Sequence, residues 1–327
     1  MDIIVNTFGT YVTKDTNNFV IVHKDGKQML DASKVKSISL SKGAQISTDA
    51  AILAIENGID VFFVGNTGEP IGRIWSNKYG SVSTIRRNQL DFTFSEQAVE
   101  WIKNIVIDKI DNQVAIILSF MPDDDIRQEK IKTAIRKLND YKIKIKSLNA
   151  LVVSEIAPSL RGWEGAAAKI YFSVIALFVK PELFNGHRSQ NPAFDIFNCL
   201  LNYGYGILYG KVEGSLIKAG IDPYVGVMHR DDYNRPVLVF DVIEKFRVWV
   251  DYVVINLCLQ NAIDEDCVSI KQDGSIWLEA LGKRILIQSL NDYMDEIIKV
   301  SGVERSRTSQ IKLYAHKLAQ EFIKYKG

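Results

Sequence analysis

Apolar positions follow two different regimes along this chain. Through about residue 75 they come in short runs. Phe19-Val20-Ile21-Val22 is largely β-branched and precedes Lys24-Asp25-Gly26-Lys27, and Asp-Gly between apolar runs signals a hairpin. Val35, Ile38 and Leu40 predict another strand. Val61-Phe62-Phe63-Val64 predicts a short buried one, closed by Gly65-Asn66-Thr67-Gly68, and Ile71-Gly72-Arg73-Ile74 the last of the series. One helical patch interrupts them. It opens at Thr48-Asp49, continues through Ala50, Ala51, Leu53, Ala54 and Ile55, and stops at Asn57-Gly58.

After Thr93 the period lengthens. Val99, Ile102, Ile105, Val106, Ile110, Val114 and Ile117 form one stripe of a long helix, which Pro122-Asp123-Asp124-Asp125 ends. Further helices are expected to the C-terminus. Between the regimes, residues 76–92 have weak periodicity, with Gly80, Ser81 and Ser83 beside Lys78, Arg86 and Arg87. The expected fold class is α+β: a β-strand-rich N-terminal domain over 1–80, a linker over 81–92 and a larger all-α-helical domain over 93–327. A length of 327 residues suits two domains of roughly 100–200 residues each, without disulfides or structural metal.

Composition removes several classes. With 47% hydrophobic and 24% charged residues the chain is not a disordered one. Cys199, Cys258 and Cys267 include no C-x-x-C pair, so no thiolate zinc pattern exists. Cys199 and Cys258 lie in apolar runs and read as buried small hydrophobes in a reducing compartment. The start, Met1-Asp2-Ile3-Ile4-Val5, lacks a basic segment before an apolar one. Val248–Leu259 carries Asp251 and Asn256 and falls far short of the ~20 apolar residues of a membrane span. A soluble, cytoplasmic protein is expected. No phosphate-binding G-x-x-x-x-G-K-S/T loop, dinucleotide G-x-G-x-x-G or hydrolase G-x-S-x-G elbow occurs.

Two clusters could carry chemistry. In Pro158-Ser159-Leu160-Arg161-Gly162-Trp163-Glu164-Gly165-Ala166-Ala167-Ala168, read as a helix start, Glu164 sits among small residues that permit close approach. Its plain reading is a first-turn acid favourable to the helix dipole. In the second cluster His229 ends an apolar run, a polar loop follows, and Pro236 suits a helix start. Asp241 and Glu244 then share one face, with Arg247 three further on. The plain reading is a surface helix with an Asp241–Lys245 pair and a satisfied histidine. Combined, one imidazole and two or three carboxylates make an N/O set suited to Mg²⁺ or Mn²⁺ and to phosphoryl transfer.

These residues resemble a known family. Leu160-Arg161-Gly162-Trp163-Glu164-Gly165 with Ala167 and Tyr171-Phe172, Asn198-Cys199-Leu200-Leu201-Asn202-Tyr203-Gly204-Tyr205, Ala219-Gly220-Ile221-Asp222-Pro223-Tyr224-Val225-Gly226-Val227-Met228-His229, and Arg235-Pro236 with Asp241-Val242-Ile243-Glu244-Lys245-Phe246-Arg247 look like the four ordered motifs of the CRISPR-associated Cas1 proteins. The resemblance implies a metal-dependent DNA endonuclease and integrase that inserts captured fragments as spacers through 3′-hydroxyl attack on a phosphodiester. It implies a homodimer formed through an N-terminal β-sandwich, a helical catalytic domain, double-stranded DNA as substrate and a small ferredoxin-like Cas2-type partner. Glu164, His229 and Glu244 fall on its metal-ligand positions and Asp241 on the neighbouring acidic one. Some members carry Asp where this chain has Glu244. His229 is either a ligand or a proton carrier. The rival functions are a general metal-dependent nuclease of branched or repair DNA and a non-catalytic DNA-binding scaffold.

Formal net charge is +1, from 40 Lys and Arg against 39 Asp and Glu, which excludes a uniformly basic coat. Clusters remain. Residues 126–146 hold eight cations and two acids, a balance of +6, and residues 299–326 seven and two, a balance of +5. Either can neutralise phosphates or be a solvated helix face. Tyr141 and Tyr325 are candidates for stacking on bases.

Overall fold

A computed structural model describes residues 1–65, 70–74, 82–229, 235–300 and 303–325. The chain divides into two compact units, Met1–Gly80 and Ser81–Gly327.

The first unit holds β1 (Asp2–Val5), β2 (Tyr11–Asp15), β3 (Asn18–His23), β4 (Gly26–Asp31), β5 (Ser37–Ser41), β6 (Gln45–Ile46), α1 (Thr48–Glu56), β7 (Asp60–Val64) and β8 (Pro70–Ile74). Two four-stranded sheets result, in the orders β1-β5-β7-β8 and β4-β3-β2-β6. The Asp25-Gly26 hairpin joins β3 to β4 with His23 opposite Gly26. Along β5 the pattern alternates, Ile38 and Leu40 being buried and the serines between them less so. Both sheets and α1 contribute to one core of Val5, Val12, Phe19, Ile38, Leu40, Leu53 and Val61. The expected turn over 65–68 lies, except for Gly65, outside the described residues.

The second unit begins with α2 (Ser83–Phe92), where the sequence suggested a linker. Its apolar period is weak because a polar residue, Gln89, occupies one of its buried positions beside Phe92. Next come α3 (Glu96–Ser119), α4 (Asp125–Lys146), α5 (Val153–Ile175) and α6 (Ile196–Lys218). Short α7 (Val237–Ile243) and α8 (Arg247–Leu259) follow. The α3 stripe is buried as its period predicts, with Ile102, Ile110 and Ile117 at 0% exposure. The Ser95 and Asp124 side chains cap α3 and α4.

The region is not all-helical. A β9 (Val268–Ile270)–β10 (Ile276–Leu278) hairpin precedes α9 (Ala280–Asp295), and a β11 (Ile297–Val300)–β12 (Val303–Ser306) pair precedes α10 (Arg307–Lys324). Strands of three or four residues are too short to show a period. The first hairpin nevertheless carries Asp273-Gly274 between apolar runs, the signal also present at 25–26.

One continuous core joins these helices. α3 packs on α4, α5 and α8, while α6 packs on α7, α8 and α10. Gly204 permits close approach of α6 to α8, since a Cβ there would lie 2.5 Å from the Val250 side chain. Helix α5 begins five residues before Pro158, which therefore sits inside it. Glu164 is consequently a mid-helix residue, and the first-turn dipole reading of it does not hold.

Candidate active site

Four segments of the second unit meet around an acidic cluster. Helix α3 supplies Lys109, α5 supplies Glu164, and the segment ending at His229 supplies the imidazole. The α7–α8 segment supplies Asp241 from within α7, Glu244 from the break and Arg247 from the start of α8. Glu244 caps α7 and Arg247 opens α8, so the three do not share one helix.

Lys109 Nζ lies 2.5 Å from Glu164 Oε1 and 2.5 Å from Glu244 Oε2. The two carboxylate oxygens are therefore at most 5.0 Å apart. Glu244 Oε1 faces Arg247 Nε at 2.8 Å. Burial works against ionisation of Lys109, but the charges of Glu244 and Glu164 outweigh it and hold its pKa above the usual lysine value. Burial likewise raises Glu244, and Arg247 and Lys109 outweigh it, so its pKa is lowered. Two negative charges are matched by two positive ones on largely buried side chains.

His229 and Asp241 form the second half. Nδ1 of His229 is 2.6 Å from Asp241 Oδ1. The other Asp241 oxygen accepts the backbone N–H groups of Val227 at 2.8 Å and Met228 at 3.1 Å. Asp241 is wholly buried, and both its oxygens are engaged. The hydrogen bond to Asp241 raises the His229 pKa, burial opposes it, and the charges of Asp241, Glu244 and Glu164 add to the rise. The two halves thus lie in one electrostatic field. A side chain at Gly226 would collide with the His229 carbonyl and with Val237.

The four residues singled out by sequence all lie in this neighbourhood. Among the described residues, however, no three His, Cys, Asp or Glu side chains are grouped to hold a metal ion. Glu164 and Glu244 close on Lys109 instead. The plain Asp241–Lys245 pair is absent: Lys245 pairs with Asp108 and Asp241 with His229.

Sequence reasoning missed Lys109, although a signal existed. It falls between Val106 and Ile110 within the apolar stripe of α3, where a cation at 9% exposure requires a partner. It also missed the supports. Gln89, 0% exposed, donates from Nε2 to the carbonyls of Asp222 at 2.7 Å and Val225 at 2.9 Å, and its Oε1 accepts from Asp222 N at 3.0 Å. It fastens the turn that leads to His229. Behind Arg247, the Tyr205 ring lies 4.6 Å from the guanidinium carbon. The Tyr205 hydroxyl donates to Asp251 Oδ1 at 2.5 Å and the Tyr171 hydroxyl to Oδ2 at 3.0 Å. Burial pushes Asp251 up to about 6 despite those bonds.

The stacking candidates are engaged elsewhere. Tyr325 packs edge-on against Phe92 at 5.7 Å, and Tyr141 is half-buried with Lys144 over its ring at 5.2 Å. All three cysteines are buried and free, and burial holds Cys199 and Cys258 at about 12. Among the described residues no helix is long and apolar enough to cross a membrane.

A family model described as CRISPR associated protein Cas1 matches residues 3–292. The chain belongs to the Cas1 family. It is 30% identical to a CRISPR-associated endonuclease Cas1 of Archaeoglobus fulgidus, over 96% of this chain and 94% of that one. A Saccharolobus solfataricus Cas1 endonuclease is 25% identical over 99% and 96%. Among solved structures, a CAS1 protein from Thermotoga maritima shares the fold with a TM-score of 0.81 at 22% identity, covering 100% of this chain and 98% of that one. A casposase bound to integration product gives 0.86 at 18% identity, covering 99% and 91%.

Proposed function

We propose that this Cas1 protein is a divalent-metal-dependent DNA endonuclease and integrase of CRISPR adaptation, with Glu164, His229 and Glu244 as its metal-binding residues. The observation that carries the reading is the pair of carboxylates held within 5.0 Å of each other by one buried ammonium. They already accommodate a cation between them, and the donor set is oxygen with one imidazole nitrogen, which fits Mg²⁺ or Mn²⁺. Engagement of both Asp241 oxygens favours Glu244 over Asp241 as the second carboxylate ligand. A bound divalent cation would supply Lewis-acid polarisation of a phosphate oxygen.

The chain's own groups do the rest. Asp241 holds Nδ1 of His229, leaving Nε2 as the nitrogen directed to chemistry, as a ligand or as carrier of the attacking hydroxyl's proton. Arg247 neutralises one edge of Glu244 and keeps the carboxylate oriented. Gly162 and Gly165 have open space where side chains would be, so a DNA backbone can approach Glu164 closely. The substrate reading is a captured duplex whose 3′-hydroxyl attacks a repeat phosphodiester. The assembly reading is a homodimer through the N-terminal unit together with a small ferredoxin-like Cas2-type partner. Complexes of Cas1 with Cas2 are known among structures of similar fold.

A supercoiled-plasmid integration assay with Mn²⁺ and the small partner tests this. Glu164→Ala and His229→Ala should abolish strand transfer while duplex binding persists. Normal integration by either variant would overturn the site assignment. Equal use of repeat-bearing and random targets would favour a general nuclease.

A further inference from the structure

The Glu164–Glu244 pair is closed by a residue of the protein itself. Lys109 is the only one of its two cationic partners able to withdraw. Arg247 is fixed by Glu244 on one side and by the Tyr205 ring on the other. Lys109 is a compact charge on a flexible four-carbon stem. Together the two cations cancel the two carboxylates. A divalent cation entering on the same oxygens would meet an ammonium already at contact distance from both. Either the ammonium leaves, or the pocket carries about two excess positive charges in a poorly solvated place. Phosphate oxygens of DNA relieve both problems, since they add negative charge and offer a displaced ammonium a new partner.

Resting on the metal-site reading above, we infer that Lys109 is a tethered cation that competes with the divalent metal for Glu164 and Glu244, so that metal binding is tight only when DNA phosphates are present. By reciprocity, the metal tightens DNA binding by the same factor. Lys109 is a positioning residue here: it acts through the carboxylates, and its effect is to keep the site empty of metal until substrate arrives.

Mn²⁺ binding to the full chain tests the inference, measured by the loss of the free-ion paramagnetic resonance signal. Titrations are run with and without a duplex oligonucleotide, with the oligonucleotide alone as blank. Wild type should bind Mn²⁺ weakly alone and at least about fivefold more tightly with duplex, the lower end of ordinary coupling factors. Lys109→Met should bind at least about fivefold more tightly than wild type without DNA and lose most of the coupling. Lys109→Arg, which restores the charge, should return to weak, DNA-dependent binding. Merely structural damage would weaken Mn²⁺ binding, the opposite sign. Lys109→Gln carries the same expectation as Lys109→Met should the latter not fold. Wild-type or weaker Mn²⁺ affinity in the DNA-free neutral variant overturns the inference. Glu164→Gln separates the two levels. If it binds Mn²⁺ as wild type does, the metal-site reading itself falls. If it loses binding while Lys109→Met matches wild type, only the role of Lys109 falls.

Discussion

Nδ1 of His229 lies 2.6 Å from Oδ1 of Asp241, whose other oxygen accepts two backbone N–H groups of the same His-bearing segment. One buried carboxylate therefore fixes both the position of the imidazole and its tautomer. In Asp241→Asn, an amide oxygen can keep the backbone bonds, and its NH₂ then faces Nδ1. The neutral imidazole must accept at Nδ1 and carry its proton on Nε2, where it neither ligates nor takes a proton. We expect integration to fall by ~10–100-fold, the usual effect of losing such an orienting partner, with little change in melting temperature. Parallel activity and melting measurements check this.

Gln89 provides a second prediction, about the fold that carries His229. Gln89→Met preserves volume but strips three hydrogen bonds from the 222–225 turn. Leaving buried backbone groups unpaired costs about 1–3 kcal/mol. Urea unfolding should register that loss, and hydrogen exchange should quicken at Asp222.

The buried Asp251 makes stability depend on pH. Its carboxyl titrates near 3.8 when unfolded and at about 6 when folded. Between those values the folded chain holds the extra proton, so this group's stabilising contribution is full below 3.8 and is lost as pH rises through about 6. The displacement corresponds to roughly 3 kcal/mol. Asp251→Asn does not titrate and can still accept from one tyrosine and donate to the other. Relative to wild type it should gain that amount across the window, measured by denaturant unfolding at several pH values.

Helix α4 presents Lys130, Lys137 and Lys144 at a spacing of seven, all exposed and so on one face. By contrast Lys132 pairs with Glu129, and Lys142 pairs with Asp111. On the reading that α4 follows a DNA backbone, K130A/K137A/K144A should lower the slope of log affinity against log salt by up to about 2.7, from ~0.9 per phosphate contact. Fluorescence anisotropy across a salt series reads this directly.

Much of the fold was legible because it rests on local pattern. The α3 stripe, the Asp25-Gly26 hairpin and the α1 boundaries follow from period, turn chemistry and capping, which act over a few residues. The 81–92 stretch is helical although its pattern predicts a linker, because α2 buries a glutamine, and an apolar period cannot show a polar side chain satisfied by a distant turn. Helix α5 starts before the point that Pro158 predicts, because a proline normally marks a helix start whereas here the packed helix accommodates it.

The site divides in the same way. Residue type and ordered motifs are properties of the chain, so they alone were enough to single out Glu164, His229, Asp241 and Glu244 as the candidates for chemistry. The sequence also excluded thiolate zinc and the common nucleotide-binding loops. Tertiary structure alone decided how those groups are paired. Lys109 and Glu164 are 55 residues apart, and Gln89 and Asp222 are 133 apart. No local rule joins residues at such separations. Packing of α3 against α5 and α8 brings an ammonium between two carboxylates, and burial then makes that pairing obligatory, because none of the three charges is stable there alone.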